Sequence, residues 1–227
     1  MFDLYIANKN YSSWSLRPWV LMRALDIPFT EHVEPFAGGL GASRDAFRSF
    51  SPTGLVPCLV DGDTVVWDSL AIVEYAAEHW PAVWPEGKSA RAWSRSACAE
   101  MHSGFNALRD DCSMNCGVRV ELTAISAALQ ADIERLNELW EQGLNTFGGP
   151  FLAGDRFTGV DAFYAPVVFR AQTFSLPLSQ PAQAYVDHML ALPALQEWYQ
   201  AALQEPWREA MHEEDTVKCG RLIEDHR

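Results

Sequence analysis

A chain of 227 residues, 48% of them hydrophobic, can bury a substantial core in one large domain or two modest ones. Its formal net charge of −13 at pH 7 disfavours binding to nucleic acid or to an anionic membrane surface, because both need clustered Lys and Arg. Composition therefore favours a globular protein that acts on small molecules.

The cysteines and the apolar runs bear on compartment and metal binding. The five cysteines are mostly isolated, which argues against a disulfide framework, and the one close pair, Cys112 and Cys116, is more typical of buried thiols than of a metal site. No apolar run approaches the roughly 20 residues that span a bilayer, and the N-terminus lacks the basic region of a signal peptide. We expect a cytoplasmic protein without a metal.

The chain begins with a predicted β-α-β unit. The apolar run at residues 2–7 predicts a strand, and helical spacing of apolar residues over 16–25 predicts a helix. Pro18 is expected in the first turn of that helix, so the helix should begin near residues 13–15. The alternation at 29–33 predicts a second strand, parallel to the first.

Three serines, Ser12, Ser13 and Ser15, lie between the first predicted strand and helix. The first N–H groups of a helix lack intrahelical partners and carry partial positive charge, so a serine there can cap the helix or bind an anion or thiolate. Taken alone, these residues favour one cap and turn contacts for the other two.

The glycine-rich residues 36–42 precede a short predicted helix at about 44–50. They lack the lysine of a P-loop and the full spacing of a dinucleotide-binding loop, so a mobile loop over a site is the expectation.

Two later segments can also face a ligand. Pro57 begins a third predicted strand; a trans bond is the ordinary expectation, whereas a cis bond would turn the Val56 N–H and C=O outward toward a peptide-like ligand. Asp68 and Ser69 precede a predicted helix at 70–77, where they can cap the helix, bind a carboxylate, or do both.

These three places together resemble the glutathione S-transferase family. Residues 12–17 (Ser-Ser-Trp-Ser-Leu-Arg) look like its serine-type active-site segment in the zeta-class form Ser-Ser-Cys-Ser-x-Arg. Residues 54–59 resemble its Val-Pro segment, and residues 68–75 resemble the segment that holds the γ-glutamyl end of glutathione. The resemblance implies a thioredoxin-like N-terminal domain of order β-α-β-α-β-β-α, an all-helical C-terminal domain and a homodimer.

The resemblance also implies roles for single residues. It places Ser12 at the catalytic position, with Ser13 as the second candidate, and leaves Ser15 as the expected helix cap. A hydroxyl at that position donates a hydrogen bond to the glutathione sulfur and favours the reactive thiolate. It further implies a cis bond before Pro57.

The remaining implied contacts are with the rest of glutathione. The Val56 backbone is expected to pair with the cysteinyl amide, and Asp68 and Ser69 with the γ-glutamyl carboxylate and amine. Trp14 stands where the zeta pattern has Cys, which puts maleylacetoacetate isomerisation in doubt. The absence of Cys at positions 12 and 15 disfavours glutaredoxin-like chemistry.

Two prolines and a glycine within residues 81–87 predict a linker between domains at 1–80 and 88–227. Helical periodicity predicts long helices over 89–109 and 122–144. Thr158 and Asp161 form a predicted capping box, to which we assign a structural role outside the active site.

Met101, Phe105, Leu108 and, just beyond the first of these long helices, Cys112 recur at helical spacing on one face, which is typical of core packing. The family, however, places its pocket for a small hydrophobic electrophile against this helix, so Phe105, Arg109 and Trp14 are the candidates for that pocket.

The sequence thus predicts a glutathione-dependent transferase that conjugates or reduces a small electrophile. An isomerase or peroxidase of the same family is one alternative. A transferase-like protein that binds glutathione without catalysis is the other.

Overall fold

The computed structural model describes residues 1–36, 38 and 40–227, so part of the predicted mobile loop at 36–42, Ala37 and Gly39, lies outside the described residues. The first half of the chain alternates strands and helices in the order β1 Phe2–Ile6, α1 Ser13–Ala24, β2 Phe29–Val33, α2 Leu40–Phe47, β3 Cys58–Asp61, β4 Thr64–Trp67 and α3 Ser69–His79.

These four strands form one mixed sheet in the order β2-β1-β3-β4. Strand β1 pairs parallel with β2 and antiparallel with β3, and Phe2, Leu4 and Ile6 are buried along it. The predicted parallel β-α-β unit is therefore present, and the start of α1 lies at the end of a central strand.

The second half is mainly helical. A short 3₁₀ turn at Pro81–Val83 precedes it, and its elements are α4 Lys88–Ser103, α5 Asn106–Asp111, β5 Val118–Leu122, α6 Ala127–Phe147, α7 Gly159–Phe174, α8 Gln180–Leu190, α9 Pro193–Gln204, α10 Ala210–Val217 and β6 Gly220–Asp225. Helix α7 is almost wholly buried and packs against α1 and α4, so it joins the two halves. None of the described helices is both long and apolar enough to cross a membrane.

The predicted capping box at the start of α7 is present. The buried Asp161 carboxylate accepts hydrogen bonds from the N–H groups of Thr158 and Leu152, each at 3.0 Å, and from the Tyr185 hydroxyl at 3.1 Å. Burial raises the Asp161 pKa to about 6. Thr158 and Asp161 do not line the cavity described below.

Two predicted helices have different bounds. The helix expected over 89–109 ends at Ser103, and a second helix begins at Asn106 after Phe105 adopts a left-handed backbone with φ of 54°. Gly104 permits this break, since a Cβ there would lie 2.8 Å from the Glu100 carbonyl oxygen.

The helix expected over 122–144 begins instead at Ala127. The preceding residues form β5, which pairs antiparallel with β6 at the C-terminus of the chain. This two-stranded sheet is an addition to the helical half that the sequence did not predict.

Candidate active site

A cavity of about 710 Å³ lies where α1, β3 and α3 begin. Three segments of the first half supply most of its lining: residues 11–14, residues 53 and 55–57, and residues 67–69. Phe36 and Phe47 add two aromatic side chains. The second half contributes Ser113, Met114, Arg170, His212 and Asp215. The structure thus brings together the three segments that the sequence singled out.

Ser12 is the N-terminal flanking residue of α1, and its side chain makes no capping hydrogen bond. Its buried hydroxyl donates to the Ser15 Oγ at 2.7 Å. Ser15 lies within the helix and accepts from the Ala7 N–H at 3.4 Å, so the prediction that Ser15 caps α1 is wrong. Ser13 is the first residue of the helix and also lines the cavity.

The position of Pro18 within α1 also differs from the prediction. Helix α1 begins at Ser13, within the expected range, but Pro18 then lies beyond the first turn. A proline there has no N–H to donate to the carbonyl four residues earlier, that of Trp14.

Tyr11 is a cavity residue that the sequence reasoning missed. Its hydroxyl donates to the Glu213 carboxylate, and burial together with this carboxylate raises the Tyr11 pKa above its usual value. The phenol donates to a charged carboxylate, whereas the Ser12 hydroxyl donates to a neutral hydroxyl, so Ser12 gives up the weaker hydrogen bond when it turns toward a bound thiol.

Val56 and Pro57 line the cavity next to these serines, and the peptide bond between them is cis. Val56 precedes β3, and no hydrogen bond from the described part of the chain occupies its N–H or C=O. Both groups can pair with an extended peptide.

Asp68 and Ser69 complete this wall. The Asp68 Oδ1 accepts from the Leu70 N–H at 2.8 Å and caps α3, while its Oδ2 lies 3.5 Å from the His102 Nε2. Asp68 lines the cavity and has φ of 73°, a strained conformation for a residue other than glycine. The capping and ligand-binding interpretations are thus compatible.

The buried Ser69 hydroxyl accepts a hydrogen bond from Arg17 Nη1 at 3.2 Å. The Arg17 guanidinium lies between two rings, 4.2 Å from the Trp14 centroid and 4.6 Å from the Phe163 centroid. Burial lowers the Arg17 pKa to about 9, so this side chain still carries its charge at pH 7. Arg17 holds Trp14 and Ser69 in place.

Of the three candidates for the electrophile pocket, Trp14 lines the cavity, whereas Phe105 and Arg109 are not among the described residues that do. The break after α4 buries Phe105 and aims Arg109 at the helix end, where it donates to the His102 carbonyl oxygen at 3.1 Å. Arg109 lies behind Trp14, 5.4 Å from the ring centroid.

The C-terminal tail, defined as residues 205–227, covers one side of the cavity. The His212 ring stacks on Tyr11 and Phe36, with centroids 5.1 and 4.8 Å apart. Glu213 bonds the Arg227 guanidinium, with Nη2 to Oε2 at 2.9 Å, and receives the Tyr11 hydroxyl. The charged tail gave no sequence signal for this contact.

Residues 11–79 match the family model described as the glutathione S-transferase N-terminal domain, and residues 120–201 match that of the C-terminal domain. The chain belongs to the glutathione S-transferase family. The predicted family is confirmed, as is the fold of a thioredoxin-like domain followed by a helical one.

The chain is similar to three further proteins over much of its length. It is 27% identical over 160 residues to a probable maleylacetoacetate isomerase of Vibrio cholerae, an alignment that covers 65% of this chain and 72% of that one. It is 27% identical over 199 residues to the maleylacetoacetate isomerase of Rattus norvegicus, covering 85% and 89%. A theta class glutathione S-transferase from Xanthomonas axonopodis pv. citri, solved with glutathione bound, superposes with a TM-score of 0.61 at 25% identity, covering 87% and 96%.

Proposed function

We propose that this transferase binds glutathione along the wall formed by its first half and transfers the glutathionyl group, through its thiolate sulfur, to a small electrophile held against the second half. One observation carries the proposal: Ser12, the Val56–Pro57 pair and the Asp68–Ser69 pair, distant in sequence, line a single cavity. Composition and charge are consistent with a small-molecule ligand, since the net negative charge of the chain disfavours nucleic acid.

In this proposal, Asp68 and Ser69 bind the γ-glutamyl group, because a carboxylate suits its ammonium and a helix N-terminus with a hydroxyl suits its carboxylate. The free N–H and C=O of Val56 pair with the cysteinyl amide. These contacts direct the thiol toward the start of α1.

The Ser12 hydroxyl donates a hydrogen bond to the sulfur there. This bond and the N-terminus of α1 both stabilise the negative form, so the thiol loses its proton to solvent near neutral pH. The thiolate then attacks the electrophile. Ser13 is the second candidate for this bond, since it lines the same cavity.

The electrophile binds between Trp14 and the second half. Met114 supplies an apolar contact, and Phe36 and Phe47 extend the apolar lining. Phe105 and Arg109 do not line this pocket and affect it only indirectly, Arg109 through its contact with the Trp14 ring. Conjugation of reactive electrophiles would serve detoxification.

The test is turnover of a chloronitroarene and of an organic hydroperoxide with glutathione, for wild type, Ser12→Ala and Ser13→Ala. We expect Ser12→Ala to lose most activity while calorimetry shows glutathione affinity within about threefold of wild type, since one of several binding contacts is removed. Unchanged activity in both variants would contradict the proposal that a serine hydroxyl stabilises the thiolate. Binding without turnover in wild type would favour a non-enzymatic glutathione-binding protein.

A second candidate reaction is isomerisation, because two of the similar proteins are named as maleylacetoacetate isomerases. Trp14 still departs from the zeta pattern, and its ring packs on Arg17 within the cavity wall. An assay of the cis-to-trans conversion of maleylacetoacetate by wild type and Trp14→Cys distinguishes isomerisation from conjugation. Efficient conversion by wild type would make isomerisation the main function.

The proposal includes a homodimer and a cytoplasmic location, with domains at 1–80 and 88–227 joined by a linker at 81–87. Exposed apolar side chains on the first half, Leu55, Val65 and Trp67, support association, and light scattering on the purified protein tests it. All five cysteines are free, which supports a reducing compartment.

A further inference from the structure

A buried arginine of the second half faces the cavity. Arg170 lies in α7, lines the cavity and is 5% exposed. Its Nε donates to the Cys112 carbonyl oxygen at 2.8 Å, and its Nη1 lies 3.4 Å from that of Pro166. Both acceptors are neutral, so they fix the guanidinium in place without balancing its charge.

No ion pair involving Arg170 exists in the described ranges 1–36, 38 and 40–227. The nearby thiols of Cys112 and Cys116 stay protonated, because burial raises their pKa, that of Cys112 to about 12. Burial lowers the Arg170 pKa to about 10, so the guanidinium is charged at pH 7. A buried charge with no counter-ion costs free energy unless a ligand supplies one.

The acidic residues of the cavity do not supply that charge. Asp68 bonds Leu70 and approaches His102, and the half-exposed Asp215 lies 3.8 Å from Lys218. Arg109 adds a further positive charge near Arg170. The cavity therefore holds an unbalanced cation deep in its second-half wall, beside Ser113 and Met114.

We propose that Arg170 binds a carboxylate of the electrophilic co-substrate, so that this transferase acts on anionic electrophiles. This inference rests on the proposed function, since it concerns the second ligand of the same cavity. The position of Arg170 supports it: the residues assigned to glutathione come from α1, β3 and α3, whereas Arg170 comes from α7. A guanidinium binds a carboxylate through charge-assisted hydrogen bonds.

A matched pair of probes tests the assignment: 4-chloro-3-nitrobenzoate and its methyl ester. In both, the thiolate sulfur forms a bond to the chlorine-bearing carbon, the C–Cl bond breaks and chloride leaves, while the thiol proton passes to solvent. The two resulting glutathione conjugates differ only in the carboxylate, and calorimetry measures their affinities without requiring turnover.

Wild type should bind the carboxylate conjugate about 10- to 100-fold more tightly than the ester, the range of a charge-assisted hydrogen bond. Arg170→Met should lose this preference, and Arg170→Lys should keep part of it. Arg119→Met is the matched control, because Arg119 also donates to backbone carbonyls, those of Cys116 and Val118, but does not line the cavity. It should keep the full preference.

Equal binding of the two conjugates by wild type overturns the assignment and needs no variant to fold. A persistent preference in folded Arg170→Met also overturns it. If Arg170→Met instead weakens the binding of free glutathione tenfold, Arg170 holds a carboxylate of glutathione and the co-substrate assignment is wrong. A preference without turnover of either probe supports the anion site while contradicting the proposed transferase function.

Discussion

Replacing Ser12 by alanine should raise the pKa of glutathione's thiol when it is bound in the cavity. The Ser12 hydroxyl is buried and donates to the Ser15 Oγ at 2.7 Å in the free protein. To reach the sulfur it must give up that bond. The free energy by which Ser12 stabilises the thiolate is therefore the difference between a hydrogen bond to a charged group and one to a neutral group.

These contributions are about 1.5–3 kcal/mol for the charged acceptor and about 1 kcal/mol for the neutral one. Their difference, about 0.5–2 kcal/mol, corresponds to roughly one pKa unit. The thiol pKa should thus rise by about one unit in Ser12→Ala, and conjugation below that pKa should slow about tenfold. At pH values above both pKa values the two rates should converge, because the thiol is ionised in each protein.

The assay is a pH titration of thiolate absorbance near 240 nm with glutathione saturating, together with the pH dependence of kcat. Because the Ser12 side chain makes no capping bond, the variant should keep its fold, which circular dichroism checks. Ser13→Ala is the matched control. An unchanged thiol pKa in Ser12→Ala, or a larger shift in Ser13→Ala, would refute the reasoning.

Three further predictions follow from single contacts. Asp68→Ala should lose about 1 kcal/mol of unfolding free energy with the cap on α3, whereas Asp68→Asn should keep the cap, and both should raise the KM for glutathione; urea unfolding and kinetics separate the two effects. Ser15→Ala leaves the buried Ala7 N–H without its acceptor, so urea unfolding should show a loss of about 1–3 kcal/mol. Arg227→Ala removes the partner of Glu213, so amide hydrogen exchange in the C-terminal tail should accelerate, whereas unchanged exchange would show that other contacts hold the tail.

The first half of the fold is predictable from local sequence because its signals are local. The alternation at 29–33 and the apolar run at 2–7 each predict a strand, and both strands are present. The roles of the serines at the start of α1 were not predictable in the same way. Ser12 flanks the helix without a capping hydrogen bond and donates to Ser15 instead, a contact that depends on where α1 begins to within about one turn.

The unpredicted parts depend on distant partners. Strand β6 is mostly exposed and pairs along one edge with β5, about 100 residues earlier, so it carries no apolar alternation that would mark a strand. The break at Gly104 likewise interrupts a sequence with continuous helical periodicity. The second-half lining of the cavity likewise comes largely from segments without a strong local pattern, Ser113 and Met114 before β5 and His212 and Asp215 in α10. The first-half wall was therefore more predictable than the second-half wall.

The overall charge of the chain also misrepresents the charge at the site. Exposed acidic groups produce the formal net charge of −13, and salt screens such groups beyond about 8–10 Å. Arg17 and Arg170 are buried, remain charged at pH 7 and act through a medium of lower dielectric constant. We therefore expect a small anion in the cavity to experience these two fixed cations more strongly than the distant surface acids, although the net charge of the chain disfavours nucleic acid as a ligand.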